Sequence, residues 1–541
     1  MHNSPSPTEF SSLAAALLSI VIAAAVFLPL GYLLIDAVPR DAQAWQITHA
    51  FLVDANLHGA VWRTLGIAVA AGLLCAVCAT PVAFVAIRAP RIHRGLALAF
   101  GLLPLATPPY VIAAAAAQAI TTTEIPATLH FGGLGVSTSA IALVVTYAVH
   151  YLPLVAVLLM LRLGGIDRGL QESASNLGAG TFTVWRRITL PLLMPAYLTA
   201  IALMMLRILE DVATPLMLGV NDMLAPSLLQ HWKDVAPDAT PLILRGAILL
   251  LMSSLVAVIA WSGLRATQTV AEAPDTCTLQ WRRCSANHFW STVGVAVLAL
   301  ITLTPISALL YGYLASPTAG LAIEDLRPNI LTSVLIGIGV GGGGMLLATA
   351  SAMLTRCKGK PAGMLRATTT SLYAVPGVLL AIAVMRYASP ITDQFSLTTG
   401  AFSIGVVLIS LQYLPYLHFV IAQGLGHAHK DLNSVTKIKG TPGVITTLRF
   451  VLPAMKWYLW LAFLVGFVGA VSEVSMLLLM TSDQSAQPLS LFLFEQLSQQ
   501  PTSAFGITAG LVLSGMIAAA VAAAFWVRPS YASVNRGHRC E

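Results

Sequence analysis

An all-α integral membrane protein of about twelve transmembrane helices, arranged as two parallel six-helix repeats, is what the 541 residues predict. Three observations carry that expectation. The composition is apolar, Lys and Arg are concentrated in alternate loops, and one loop pattern returns at a constant offset of 262 residues.

Hydrophobic residues make up 57% of the chain and charged residues 9%, where a soluble domain carries about 25% charged. Apolar stretches long enough to cross about 30 Å of hydrocarbon recur throughout. In the first half they fall near 12–36, 64–87, 95–119, 138–161, 193–219 and 242–264. The second half supplies 289–313, 330–354, 367–386, 400–424, 456–480 and 504–527. The first stretch lacks a basic leading region and a small-residue cleavage site, and reads as a retained helix rather than a signal peptide.

Orientation follows from the basic residues, which stay on the cytoplasmic side. Segments 88–94, 162–187, 265–283, 355–366, 430–456 and the C-terminal tail hold 22 of the 29 Lys and Arg. Segments 120–137 and 481–503 hold none. Both termini are therefore expected in the cytoplasm. The net charge of +7 is this topological bias, dispersed over short loops, and not a nucleic-acid footprint. The six cysteines suggest no disulfide framework. Cys75 and Cys78 form a CxxC inside an apolar stretch, where core packing is a better reading than metal binding because no second ligand pair accompanies them.

The repeat sets the domain boundaries. Tyr151-Leu152-Pro153, Gly178, Arg187 and Leu190-Pro191 return as Tyr413-Leu414-Pro415, Gly440, Arg449 and Leu452-Pro453. Earlier pieces align at slightly larger offsets: Ala79-Thr80 with Ala348-Thr349, and Ala106-Thr107-Pro108 with Ala374-Val375-Pro376. The halves are thus 1–264 and 289–541, joined by a polar cytoplasmic linker at 265–288. With six spans each, they share one orientation. The glycine run Gly341 to Gly344 reads as a helix-packing surface, with a hinge as the alternative.

Within the repeated loop, Gly164-Gly165 ends one span and Asp167 to Leu177 reads as a short helix with small Ser173, Ala174 and Ser175 on its surface. Gly178 breaks it, an amphipathic stretch with Trp185, Arg186 and Arg187 follows, and Pro191 opens the next span. Such a surface helix suits docking into a groove on another protein, with Glu172 and the arginines orienting the contact. The alternative is a plain amphipathic connector, which two matching copies make less natural.

Glu172-Ser173-Ala174, Gly178 and Leu190-Pro191 resemble the Glu-Ala-Ala loop of ATP-binding-cassette importer permeases. The second copy departs from that pattern, with Ser434 in the glutamate position followed by Val435 and Thr436, but keeps Gly440 and Leu452-Pro453. The resemblance implies a type I importer permease fold, with two permease domains fused in one chain of a bacterial inner membrane. It implies two copies of an ATPase subunit that bind ATP and Mg, and a periplasmic or extracellular solute-binding protein. It also implies alternating access driven through the two loops. The chain itself would be no enzyme and bind no cofactor. In keeping with this, the sequence has no Gly-x-x-x-x-Gly-Lys-Ser/Thr phosphate loop and no soluble stretch to house a nucleotide fold.

Charge inside the bilayer is costly and usually faces a protein interior or a water-filled path. Glu210 and Asp211 lie in the fifth stretch, and Glu473 stands at the repeat position of Asp211. Carboxylates on equivalent helices could line a path for a cation; the structural alternative is an intrahelical ion pair of Arg207 with either Glu210 or Asp211, and a Glu473 that is protonated or bonded to Ser472 or Ser475. His150 and Gln412, each just before a Tyr-Leu-Pro, are further polar candidates for the path or for helix contacts. No metal ligand set is assigned. Residues 209–219 and 472–479 also resemble the fifth-helix segments of fused ferric-iron permeases, whose relatives import thiamine, aminoethylphosphonate or polyamines. Ferric iron is the expected substrate. The rival of another class is an ion-coupled secondary transporter using the acids as ion sites, which would have no need of the paired loop.

Overall fold

The structure is a computed structural model. It describes residues 7–36, 42–88, 107–131, 134–164, 168–233, 240–271, 288–315, 323–357, 359–392, 397–439, 447–480, 487–499 and 504–526, with a few isolated positions between. These residues are almost entirely helical, apart from one antiparallel hairpin of β1 (Thr128–Phe131) and β2 (Leu134–Ser137). Among the described residues, seven helices are long and apolar enough to cross a membrane, and an eighth candidate is a bent pair.

The first half runs through α1 (Pro7–Asp36), α2 (Ala42–Leu52), α3 (Ala55–Arg88), α4 (Pro109–Thr122) and α5 (Thr138–Gly164). It continues with α6 (Arg168–Asn176), α7 (Thr181–Val184), a π-turn at Trp185–Thr189 and α8 (Leu190–Glu210). Then come α9 (Ala213–Met217), α10 (Leu224–Lys233) and α11 (Thr240–Ala271). The second half holds α12 (His288–Ala315), α13 (Ile323–Leu354), α14 (Lys360–Ser371), α15 (Gly377–Thr392) and α16 (Leu397–Lys439). It ends with a π-turn at Thr447–Val451, α17 (Leu452–Ala454), α18 (Lys456–Ser472), α19 (Leu477–Met480), α20 (Leu489–Gln499) and α21 (Ala504–Trp526).

Three apolar stretches are not straight helices. The stretch expected at 367–386 is bent by 101° between α14 and α15, where Pro376 interrupts the ladder. The stretches at 193–219 and 456–480 stop being regular at Asp211 and Glu473, each with extended backbone. Most of 95–119 before α4 lies outside the described residues.

Two compact units form, and neither coincides with a sequence half. One unit is 36–321 with 493–514. Its core joins α3, α5 and α8 through Ala68, Ala71, Cys75, Leu143, Tyr147, Leu152, Ala200 and Met204. Cys75 is therefore buried core filler. The unit also takes in α12, whose Val295 and Leu298 enter the same core.

The other unit is 1–35, 322–492 and 515–541. Here α1 is seated by Ser19 on Thr368 of α14 (2.9 Å) and by Tyr32 on Tyr387 of α15 (centroids 5.7 Å apart). Its centre is a close crossing of α13 and α18. A Cβ at Gly466 would stand 3.1 Å from the Gly341 Cα, and one at Gly341 would stand 2.8 Å from the Phe463 carbonyl oxygen. Gly344 is covered by Leu417 of α16, whereas Gly342 and Gly343 face open space. Half of the glycine run is thus helix packing. In both units the residues facing away from protein are large and apolar, such as Leu73, Val77, Leu335 and Leu346, as lipid contact requires.

Candidate coupling loop and broken spans

The loop helix α6 is short, and its end is fixed by backbone geometry. The Gly178 N–H donates to the Ser175 carbonyl (3.0 Å) and the Ala179 N–H donates to the Ala174 carbonyl (3.0 Å). This pair of bonds is a Schellman closure, and it places Gly178 at φ +85°. Only glycine adopts that conformation without strain. Glu172 and Ser173 are exposed and Ala174 is half-buried, so this face of α6 is open to its surroundings. Leu170, Leu177 and Phe182 are 53%, 88% and 70% exposed, an apolar surface on a loop that lies between two spans. Gln171 ties α6 to the next segment by donating to the Thr189 hydroxyl (3.1 Å).

Leu190-Pro191 has a local reason as well. The π-turn sends the Leu190 N–H back to the Trp185 carbonyl, widening the helix just where the Pro191 ring would crowd the preceding turn. The same π-turn recurs at Thr447–Val451 before Leu452-Pro453, at the repeat offset. In the second copy α16 continues without interruption to Lys439. Ser434 sits on its backbone helix, and Gly440 lies outside the described residues.

The acids occupy the breaks. Asp211 terminates α8, and its carboxylate accepts the Thr214 N–H (3.2 Å), the Thr214 hydroxyl (2.5 Å) and the Tyr147 hydroxyl (3.1 Å). It therefore caps the opening turn of α9. Glu473 terminates α18 and is buried, and its Oε1 accepts the Met476 N–H (3.3 Å) in the turn that opens α19. Both carboxylates serve amides that no water in a hydrocarbon layer could satisfy, a cap worth about 1 kcal/mol. Glu210 pairs with Arg207 at 2.5 Å, on the same helix. The intrahelical pair expected as the structural alternative is present.

His150 donates from Nδ1 to the Thr107 carbonyl (3.1 Å) and stacks edge-on against Tyr151, fastening α5 to the irregular segment before α4. Gln412 is buried against Gly377, where a Cβ would stand 2.5 Å from its amide nitrogen. His150 thus rests beside Pro108 at the start of α4, and Gln412 rests beside the Pro376 bend between α14 and α15. Among the described residues, no three His, Cys, Asp or Glu side chains come together as metal ligands.

With this geometry in place, the comparison with known families is direct. Residues 68–260, which span α3 to α11, match the family described as binding-protein-dependent transport system inner membrane component. This chain carries a binding-protein-dependent permease domain. The putative ferric transport system permease protein of Haemophilus influenzae is 24% identical over 427 residues, 71% of this chain and 64% of that protein. The ferric transport system permease protein of Actinobacillus pleuropneumoniae is 24% identical over 426 residues, 71% of this chain and 59% of that protein. The spermidine/putrescine transport system permease protein of Escherichia coli K12 is 34% identical over 128 residues, 24% of this chain and 48% of that protein. The chain spans less than two thirds of the length of these relatives. The permease domain includes the loop helix α6, Gly178 and the Asp211 break.

Sequence reasoning missed two features of this domain. It read Asp211 and Glu473 as charges and not as caps, although each precedes by three residues the amide it serves. It also passed over Thr64 and Ser333, buried hydroxyls considered below.

Proposed function

We propose that the chain is the membrane-spanning permease subunit of an ATP-driven importer, with two permease domains fused and both termini in the cytoplasm. The observation that carries this reading is α6. It is an exposed, glycine-terminated helix with apolar Leu170, Leu177 and Phe182 around it, inside the segment that matches the permease family. A partner ATPase seats on that surface, and its closure on ATP is passed to α5 and α8, between which α6 is strung. The second domain is inferred from the 262-residue repeat and from similarity to the ferric permeases over more residues than either half contains. A solute-binding protein delivers the substrate from outside.

The substrate we assign is ferric iron, because the ferric permeases are the relatives similar over most of this chain. A polyamine is the second reading, favoured by the higher identity of the shorter spermidine/putrescine match. Both are cations. Asp211 and Glu473 hold the breaks by their oxygens and, by their charge, make each break favourable to a cation. The test is ATPase activity of the reconstituted complex with its binding protein loaded in turn with ferric iron, spermidine, thiamine and aminoethylphosphonate. Stimulation by the ferric form alone is expected. Stimulation by another ligand reassigns the substrate, and the absence of any ATPase association overturns the importer reading.

A further inference from the structure

Thr64 and Ser333 lie at the same place in the two repeats, on α3 and α13, separated by the 269 residues that also separate Ala79-Thr80 from Ala348-Thr349. Both are buried. The Thr64 hydroxyl donates to the Ala60 carbonyl of its own helix (2.8 Å), which leaves its oxygen free to accept. It accepts the N–H of Leu224 (3.0 Å), the first residue of α10. The Ser333 hydroxyl accepts the N–H of Leu489 (2.7 Å), the first residue of α20. A helix start leaves such amides without an intrahelical partner, and here the missing acceptor comes from a different helix more than a hundred residues away.

A second tie lies beside each first. In one unit Arg63 forms an ion pair with Asp222. In the other the Asn329 amide donates to the Gln487 carbonyl (2.9 Å). The residues so held, Asp222 to Leu224 in one unit and Gln487 to Leu489 in the other, follow the broken spans at Asp211 and Glu473; residues 481–486 lie outside the described residues. In the second unit the Ser490 hydroxyl also donates to the Glu473 carbonyl (2.9 Å), closing that segment on its own origin.

We propose that Thr64 and Ser333 are positioning residues of transport: each latches the segment after a broken span, with its capping carboxylate, onto the second-span helix. The segment then follows α3 or α13 when the permease changes state, and the break at Asp211 or Glu473 takes up the difference as a hinge. This rests on the permease reading only for its functional arm.

The latch is read directly by hydrogen–deuterium exchange of the full chain in nanodiscs. Thr64→Val keeps the shape and removes the acceptor, whereas Thr64→Ser keeps the acceptor. Peptides covering 212–228 are expected to exchange about tenfold faster in Thr64→Val and at the wild-type rate in Thr64→Ser. Ser333→Ala against Ser333→Thr gives the second, independent pair, read over 474–493, should Thr64→Val fail to fold. Equal exchange in both members of a pair overturns the latch. The functional arm is ferric-iron uptake by the reconstituted complex. The acceptor-lacking variants should lose maximal rate about tenfold with half-saturation unchanged, and the hydroxyl variants should restore it. If exchange changes but uptake does not, the positioning role fails while the permease reading stands. If the wild type takes up no ferric iron, the ferric assignment fails, the same uptake comparison is read with the ligand that stimulates the ATPase, and the exchange result still decides the latch.

Discussion

In the first repeat the chain ends its fourth span at Gly164, starts a new helix at Arg168 and closes it at left-handed Gly178. In the second repeat α16 runs from Leu397 to Lys439 without a stop. Gly164-Gly165 stands where the second repeat has Gly426-His427, and each interior glycine weakens a helix by about 1 kcal/mol. The broken spans behave in the opposite way. Both end at an acid with extended backbone, and both acids accept an amide three residues on. Their other partners differ: Tyr147 and Thr214 serve Asp211, where the second repeat has Ile409 and Met476. Inside a membrane an exposed amide has no water to turn to, so the break keeps its geometry in both repeats. On a solvated loop water can satisfy the backbone groups, so the two copies are free to differ in shape.

The comparison can be broken most sharply at Gly178. A Cβ there meets nothing within 4 Å in the chain, so within the chain Gly178→Val acts through its positive φ. We expect loss of ATPase co-purification and at least about tenfold lower stimulated ATPase, with the chain still in the membrane. Gly440→Val should have a smaller effect, about threefold or less. Equal effects would make the two loops equivalent.

The next largest effect concerns a charge that only the first repeat carries. Arg207 and Glu210 pair at 2.5 Å with side chains 21% and 13% exposed, where the second repeat has Gly469 and Ser472. Arg207→Ala strips Glu210 of its ion pair and should destabilise by about 3 kcal/mol, read as a fall in Tm. Removing both charges, as Arg207→Ala with Glu210→Ser, should recover most of that loss. No recovery would mean that Arg207 acts on something other than Glu210.

The smallest effect separates cap from charge. Asp211→Ala should cost about 1–2 kcal/mol in thermal unfolding, whereas Asp211→Asn keeps an acceptor oxygen and should cost little. Combining Asp211→Asn with Glu473→Gln should leave Tm near wild type and lower cation uptake about tenfold. Unchanged uptake would reduce both acids to caps.

Much of this was legible in the residues. The apolar stretches announced membrane-spanning helices, and Leu190-Pro191 and Leu452-Pro453, matched at the offset of 262, marked the two π-turns, though not their form. The break at Asp211 was written in Asp211-Val212-Ala213-Thr214-Pro215, an acid three residues before a hydroxyl and four before a proline. An acid at bilayer depth has the same sequence signature whether it lines a path or caps a helix. The partners of α1 and α12 were not legible, because an all-round apolar helix has no face that names its neighbour. Thr64 and Ser333 were hidden for a related reason. One hydroxyl among many in apolar helices signals an acceptor only when the amide that needs it is known.

The most direct test of the central claim is ferric-iron uptake into proteoliposomes holding the chain, its ATPase and its binding protein, with ATP or a proton gradient as the only energy source. Uptake with ATP, unchanged when the gradient is collapsed, is the predicted result. Uptake that follows the gradient and ignores ATP would contradict it and make the chain a secondary transporter.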